Sequence, residues 1–188
     1  MSSNLLLDRL LSELLRTSPV VAILASLPPE LAAAVGVALV DAGIKILEVP
    51  LRGADVHAAL ESVAILAETV GDRAIVGAGT VLSSSQVEAV AAAGAQLVVS
   101  PNLDRAVIQA TKRAGLLSLP GVFTPTEAFE AIAAGADALK WFPTDGLQPR
   151  TLKAMLAVLP AKTPVLAVGG VDASNVGAWM AAGARGFG

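Results

Sequence analysis

Two residues in this chain are of a type that a buried strand holds only at a cost. Lys140 stands in Ala-Asp-Ala-Leu-Lys-Trp-Phe-Pro (136–143), a run whose flanks read as a β-strand apolar on both faces and stopped by Pro143. A lysine there costs several kcal/mol unless it is paired or uncharged. Burial lowers an amine pKa, and the neutral amine attacks carbonyl carbon. The plainer role is a strand-end lysine whose stem packs while the ammonium reaches water. Glu48, in Lys-Ile-Leu-Glu-Val-Pro (45–50), is the second such residue. A lone strand-end glutamate is more often solvated or salt-bridged. Brought together in a narrow apolar mouth, a lysine and a glutamate can move protons beside a reacting amine.

The elements that must position them alternate along the chain. Strands are expected at about 19–24, 45–49, 74–79, 97–100, 116–119, 138–142 and 165–168, with a last stub at 186–188. Amphipathic helices fill the gaps at roughly 29–42, 54–69, 84–93, 104–114, 125–134, 149–158 and 172–183, after an opening helix at about 4–17. Helix starts are marked by Pro28-Pro29-Glu30, Ser83-Ser84-Ser85-Gln86, Thr124-Pro125-Thr126-Glu127 and Asp172-Ala173-Ser174-Asn175, small polar residues or proline suited to first turns. Gly43, Gly94, Gly115, Gly135 and Gly183 follow the helix bodies, where a C′ glycine belongs. Repeated βα units imply a parallel sheet with right-handed crossovers. A doubly wound open sheet and a closed eightfold barrel both fit. The strand count and the spacing of about 20–30 residues per unit favour the α/β barrel. The chain reads as one domain over 1–188. It ends at Ala-Arg-Gly-Phe-Gly, inside the eighth strand, so the C-terminal unit is expected to be incomplete.

In a barrel, strand alternation puts Ala138, Lys140 and Phe142 on one face and Leu139 and Trp141 on the other. Ile46, Glu48 and Pro50 likewise share a face. Strands two and six are both even and diametrically opposite, and alternate strands feed the same interior layers. Lys140 and Glu48 are therefore expected to meet near the axis at the catalytic end. Three further features decorate that end. Gly77-Ala-Gly-Thr80 closes strand three, with glycines that admit a ligand to the backbone and a hydroxyl on Thr80. Gly169-Gly170 follows strand seven, before a helix expected around 172, where free amides suit a phosphate. Each is also an ordinary tight turn. Arg52 follows the Glu48 strand and is placed either to pair with a substrate carboxylate or simply to be solvated.

Composition narrows the chemistry. The chain has 188 residues, 54% hydrophobic, with 15% charged and 3% aromatic. The mean hydropathy is +0.68. This suits strands buried on both faces. No run of 18 uncharged apolar residues occurs; Asp41 and Lys45 interrupt the segment 31–50, and no membrane span is expected. The N-terminus lacks the basic start and small-residue cleavage site of a signal peptide. A net charge of −3 without a basic stripe gives nucleic-acid binding no support. Absence of cysteine excludes disulfides, thiolate metal sites and cysteine nucleophiles, and is compatible with a reducing cytoplasm. The single histidine, His57, has no neighbours at ligand spacing and reads as a solvated helix face. No metal or other cofactor is expected.

Glu48-Val-Pro-Leu-Arg52, Gly77-Ala-Gly-Thr-Val81, Ser100-Pro-Asn102, Pro120-Gly121, Thr124-Pro-Thr-Glu127, Leu139-Lys-Trp-Phe-Pro143 and Val168-Gly-Gly-Val171 occur in this order. Together they resemble the class I aldolases for 2-keto-3-deoxy-6-phospho sugar acids, over about Pro19 to Gly188. The resemblance implies a metal-independent eightfold barrel, usually in a homotrimer, with a phosphorylated 2-keto-3-deoxy sugar acid and pyruvate as its ligands; a cytoplasmic location is expected alongside it. It implies Lys140 as the Schiff-base lysine and Glu48 as general acid/base. Arg52, Thr80, Pro101 and Phe142 would surround the pyruvate half, and Gly169 and Gly170 would form part of the phosphate site. Residues 22–24, 100–102, 126–129 and 152–160 look more like the 6-phosphogalactonate branch, whereas Arg52 is closer to the 6-phosphogluconate type. The chain departs from many members in carrying Ala25 after the first strand, where they have arginine. The family's Gly-Ser phosphate loop would begin just beyond Gly188. The expected reaction is cleavage of 2-dehydro-3-deoxy-6-phosphogalactonate to pyruvate and glyceraldehyde 3-phosphate. The alternatives are the 6-phosphogluconate enzyme, an isomerase or decarboxylase on a phosphate-binding barrel, and an inactive scaffold barrel.

Overall fold

The computed structural model describes residues 3–53 and 55–188, with side chains from Leu10 onward. Helix α1 (Ser3–Thr17) precedes β1 (Val21–Ile23), α2 (Pro29–Asp41), β2 (Ile46–Pro50), α3 (Val56–Val70), β3 (Ile75–Gly79), α4 (Ser84–Ala92), β4 (Leu97–Val99), α5 (Arg105–Arg113) and β5 (Leu117–Leu119). There follow β6 (Gly121–Val122), α6 (Pro125–Ala134), β7 (Leu139–Trp141), α7 (Pro149–Leu156), β8 (Val165–Ala167), α8 (Val176–Ala182) and β9 (Gly186–Phe187). The start expected for the third helix, at Ala54, lies outside the described residues. Local chemistry explains several boundaries. Asp55, Ser83 and Asp104 accept hydrogen bonds from the first free amides of α3, α4 and α5. Thr124 and Glu127 form a reciprocal capping box at α6, with Pro125 at its first position. That helix ends on Gly135, at φ 103°, a left-handed geometry that favours glycine.

All strand pairs are parallel, in the orders β1-β2-β3-β4-β5 and β6-β7-β8-β9. The fifth expected strand, 116–119, appears as β5, and the same wall continues as a second short piece, β6, beyond the expected range and past Pro120, which has no N–H to give to the ladder. Backbone hydrogen bonds cross this seam. Asp137 N–H donates to Ser118 O (3.0 Å) and Lys140 N–H to Pro120 O (2.9 Å). At the other seam Val20 bridges Phe187 in parallel, and Phe187 N–H donates to Pro19 O at 2.8 Å. The two runs therefore close on each other as an eightfold βα barrel, with β7 as its sixth wall.

Side-chain alternation builds three cores. Leu47, Val49, Val76, Ala78 and Val98 pack outward against the early helices. Leu139, Trp141, Val165, Ala167 and Phe187 pack outward with residues of the later ones, Trp141 edge-on to Trp179 at 6.2 Å between ring centroids. Ile46, Ile75, Leu97, Val99, Leu117, Leu119, Ala138, Leu166 and Val168 fill the barrel, joined by Leu11, Leu14 and Leu15 of α1. The interior is thus packed with side chains. A half-buried ion pair braces the sixth wall: Asp137 accepts from Lys112 Nζ at 2.6 Å and from Ser118 N–H at 2.7 Å.

The last helix differs from expectation. It begins at Val176, four residues after the expected start at 172. Asp172 Oδ1 accepts from Ser174 N–H (2.8 Å) and Oγ (2.5 Å), and Asn175 Oδ1 accepts from Asp172 N–H (2.9 Å). These side chains offer the backbone a turn that competes with helical pairing.

Candidate active site

Lys140 sits mid-strand in β7, in register with Gly121 on one side and Leu166 on the other. Its neighbours along the chain alternate as strand geometry demands. Trp141 points out to the helices, where its Nε1–H donates to Phe123 O at 3.3 Å. Phe142 points in, and the Lys140 ammonium lies 4.9 Å from its ring centroid, within reach of the ring's negative face. Glu48 occupies the interior face of β2, opposite Gly77. Only 3% of Glu48 and 8% of Lys140 is exposed, so both charges stand largely out of water.

One cleft of about 360 Å³ is lined by Glu48, Arg52, Thr80, Pro101, Lys140, Phe142 and Gly169, together with Ile23, Pro50, Val168 and Gly188. Seven of the eight candidate residues therefore converge. Gly170 is not among the lining residues. It turns at φ 68° beside Asp145, whose Cγ would lie 3.1 Å from a Cβ at that position. Because α8 starts only at Val176, the Gly169-Gly170 turn does not open directly into a helix. Gly169 is held by Thr144, which is buried and donates its hydroxyl to Val168 O (3.1 Å) and Gly169 O (2.5 Å). Thr144 carried no signal of its own in the sequence. Pro50 was marked by its parity with Glu48, and Val168 and Gly188 by lying at strand ends. Ile23 had no such mark. His57 is exposed near the start of α3, as expected.

Thr80 follows β3 at φ 55°, a left-handed conformation that a β-branched residue rarely adopts. Such conformations cluster at ligand sites, and here the residue lines the cleft. Among the described residues, no group of three or more His, Cys, Asp or Glu is placed to hold a metal ion.

The electrostatics are those of a buried, opposed pair. Burial pushes the Lys140 amine below its usual range; the Glu48 charge works against this and the Arg52 charge adds to it. Burial pushes the Glu48 carboxyl up, against the pull of Lys140 and Arg52. A neutral amine is thereby available at lower pH than for a solvated lysine, beside a carboxyl able to hold or release a proton.

Opposite shifts follow for the two neighbours. Glu48→Gln removes the charge that raises the Lys140 pKa, so the acidic limb of imine formation moves to lower pH. Arg52→Gln removes a charge that lowers it, so that limb moves to higher pH. Borohydride trapping rates against pH check both; shifts in one common direction would contradict this electrostatic account.

A closed βα barrel with a buried amine and a buried carboxyl at its mouth defines a class of protein, one equipped for imine chemistry on a small carbonyl compound. Comparison with known proteins narrows the class. Residues 11–186 match the family model described as KDPG and KHG aldolase. A 2-dehydro-3-deoxy-6-phosphogalactonate aldolase from Escherichia coli (strain K12) is 42% identical over 170 residues, 90% of this chain and 82% of the relative. A solved structure described as native KDPGal superposes with a TM-score of 0.85 at 43% identity, covering 90% of this chain and 81% of that one. A KDPG aldolase from Legionella pneumophila, with pyruvate captured as a covalent carbinolamine intermediate, has a TM-score of 0.81 at 27% identity, covering 94% and 84%. The chain belongs to the KDPG and KHG aldolase family.

Proposed function

We propose that this chain is a Schiff-base carbon–carbon lyase that cleaves 2-dehydro-3-deoxy-6-phosphogalactonate to pyruvate and glyceraldehyde 3-phosphate. The observation that carries the reading is the convergence of buried Lys140 and buried Glu48 in one cleft with Arg52. The choice of galactonate rests on the 42% identity to a relative of that name.

Neutral Lys140 attacks the C2 ketone, and loss of water gives an iminium. Glu48, directly or through water, takes the proton of the C4 hydroxyl. The C3–C4 bonding electrons flow into the iminium, giving an enamine, while C4 leaves as the aldehyde carbon of glyceraldehyde 3-phosphate. Protonation of the enamine at C3 and hydrolysis of the new iminium release pyruvate and restore the amine. Position in the cleft supports each role. Lys140 has Phe142 beside it and little water around it, conditions that favour the uncharged nucleophile. Arg52 offers a fork for the C1 carboxylate. Thr80 contributes a hydroxyl and Pro101 and Phe142 an apolar wall around the three-carbon half, and Gly169 lies toward the phosphate. The working form is a homotrimer in the cytoplasm, a reading supported by the family resemblance.

A coupled assay for pyruvate with the two C4-epimeric 6-phospho sugar acids tests the substrate. The galacto epimer is expected to give the higher kcat/KM by about tenfold or more, a difference of about 1.4 kcal/mol in transition-state binding. Preference for the gluco epimer would move the chain to the other branch. Sedimentation at the mass of one 18.9 kDa chain would remove the trimer.

A further inference from the structure

We infer that Gly79 is a positioning residue for the reaction: its bare Cα leaves the niche in which the Glu48 carboxylate stands, and it acts on catalysis through that carboxylate alone. This rests on Glu48 being the acid/base proposed above.

Two glycines of β3 look alike in the sequence, Gly77 and Gly79, yet the structure separates them. A Cβ on Gly77 would lie 2.5 Å from the backbone oxygen of Leu97 and 2.7 Å from its Cβ. Gly77 is therefore required by the close approach of β4, and it serves the fold. A Cβ on Gly79 would meet a different obstacle. Its three nearest atoms all belong to Glu48, with Cγ at 2.9 Å, Cδ at 2.5 Å and a carboxylate oxygen overlapping it outright. Gly79 does not stand in the left-handed region, so its backbone does not itself call for glycine. It is paired with Pro50 in the β2–β3 register and is buried.

The carboxylate of Glu48 has no other visible anchor. Among the described residues no hydrogen bond holds it, and the charges of Lys140 and Arg52 act on it from the same cleft. A strand side chain leans along its strand, and from Glu48, opposite Gly77, that lean carries the carboxylate over Gly79, one pleat further on. A methyl group there displaces the far end of a flexible side chain, not the backbone. The barrel survives, while the carboxylate leaves the place from which it faces the amine and the substrate.

The test compares wild type, Gly79→Ala, Glu48→Gln, Gly79→Ala/Glu48→Gln and Gly79→Ala/Glu48→Asp. Turnover of the 6-phospho sugar acid, trapping of pyruvate with borohydride and melting temperature are measured on each. Gly79→Ala is expected to lower kcat by about 30-fold or more, approaching the usual scale of general acid/base loss. In the Glu48→Gln background the same change should cost less than about threefold, since the group it displaces no longer acts. The shorter aspartate should recover activity in the Gly79→Ala protein, because it relieves the overlap. Trapping on Lys140 should persist throughout, which shows an intact barrel. Full activity of Gly79→Ala, or an equal loss in both backgrounds, overturns the inference. So does failure of the alanine variant to fold in both backgrounds, since it would mean that the methyl disturbs the barrel itself. Full activity of Glu48→Gln overturns the acid/base reading and the positioning role with it, and is distinguishable because it shows without any change at Gly79.

Discussion

Incubated with pyruvate and sodium borohydride, the protein should gain one reduced three-carbon unit, carried on Lys140. Lys140→Arg should gain none and lose turnover. The expectation follows from burial. Other lysines offered to pyruvate in the same experiment, such as Lys45 or Lys153, lie outside the cleft. Lys140 is 8% exposed, and its pKa is driven down chiefly by desolvation, so its neutral fraction at a given pH exceeds that of a fully solvated lysine. Arginine preserves the charge and much of the length, but guanidinium stays protonated and does not add to a ketone. An adduct mapped by peptide mass to another lysine, or trapping undiminished in Lys140→Arg, would remove Lys140 from the covalent role.

Glu48→Gln should slow cleavage by about 100-fold or more, equivalent to about 2.7 kcal/mol of barrier, while Schiff-base formation with pyruvate survives. The amide keeps the shape and the seat over Gly79 but cannot take the C4 hydroxyl proton. The separation of the two readouts matters, since a merely misfolded site would lose both. Turnover equal to wild type would assign the proton to water or to another group. The expected pH response adds a second signature, because glutamine also removes the negative charge that supports the protonated amine, and so favours imine formation at lower pH.

Much of this site was legible in the residues because strand geometry has a period of two. Once 138–142 and 45–49 are taken as strands, Lys140 and Phe142 must share a face that excludes Trp141, and Glu48 must share one with Ile46 and Pro50. The barrel interior does contain Ala138 and Ile46, while Leu139, Trp141, Leu47 and Val49 pack outward. Opposed placement of Lys140 and Glu48 then followed from the count of βα units. Helix starts at Ser83 and Thr124 were equally legible, because capping is a contact between residues three apart in the chain.

What the sequence determined by itself, then, was periodic or local: strand faces, capped helix starts, and the cost of a lysine and a glutamate in apolar strands. Tertiary structure decided whatever depends on the distance between strands remote in sequence. It continued the fifth wall past Pro120 as β6 and closed the ring through Val20 and Phe187. It held Asp172–Asn175 in a turn where a helix was expected, left Gly170 outside the cleft lining, brought Ile23 into that lining and set Thr144 against Gly169. It also gave Gly77 and Gly79, indistinguishable as letters, different tasks, because one faces the backbone of β4 and the other the carboxylate of Glu48. A side chain's lean across a neighbouring strand is set by the pairing register and the curvature of the whole barrel, and no period within a single segment encodes it.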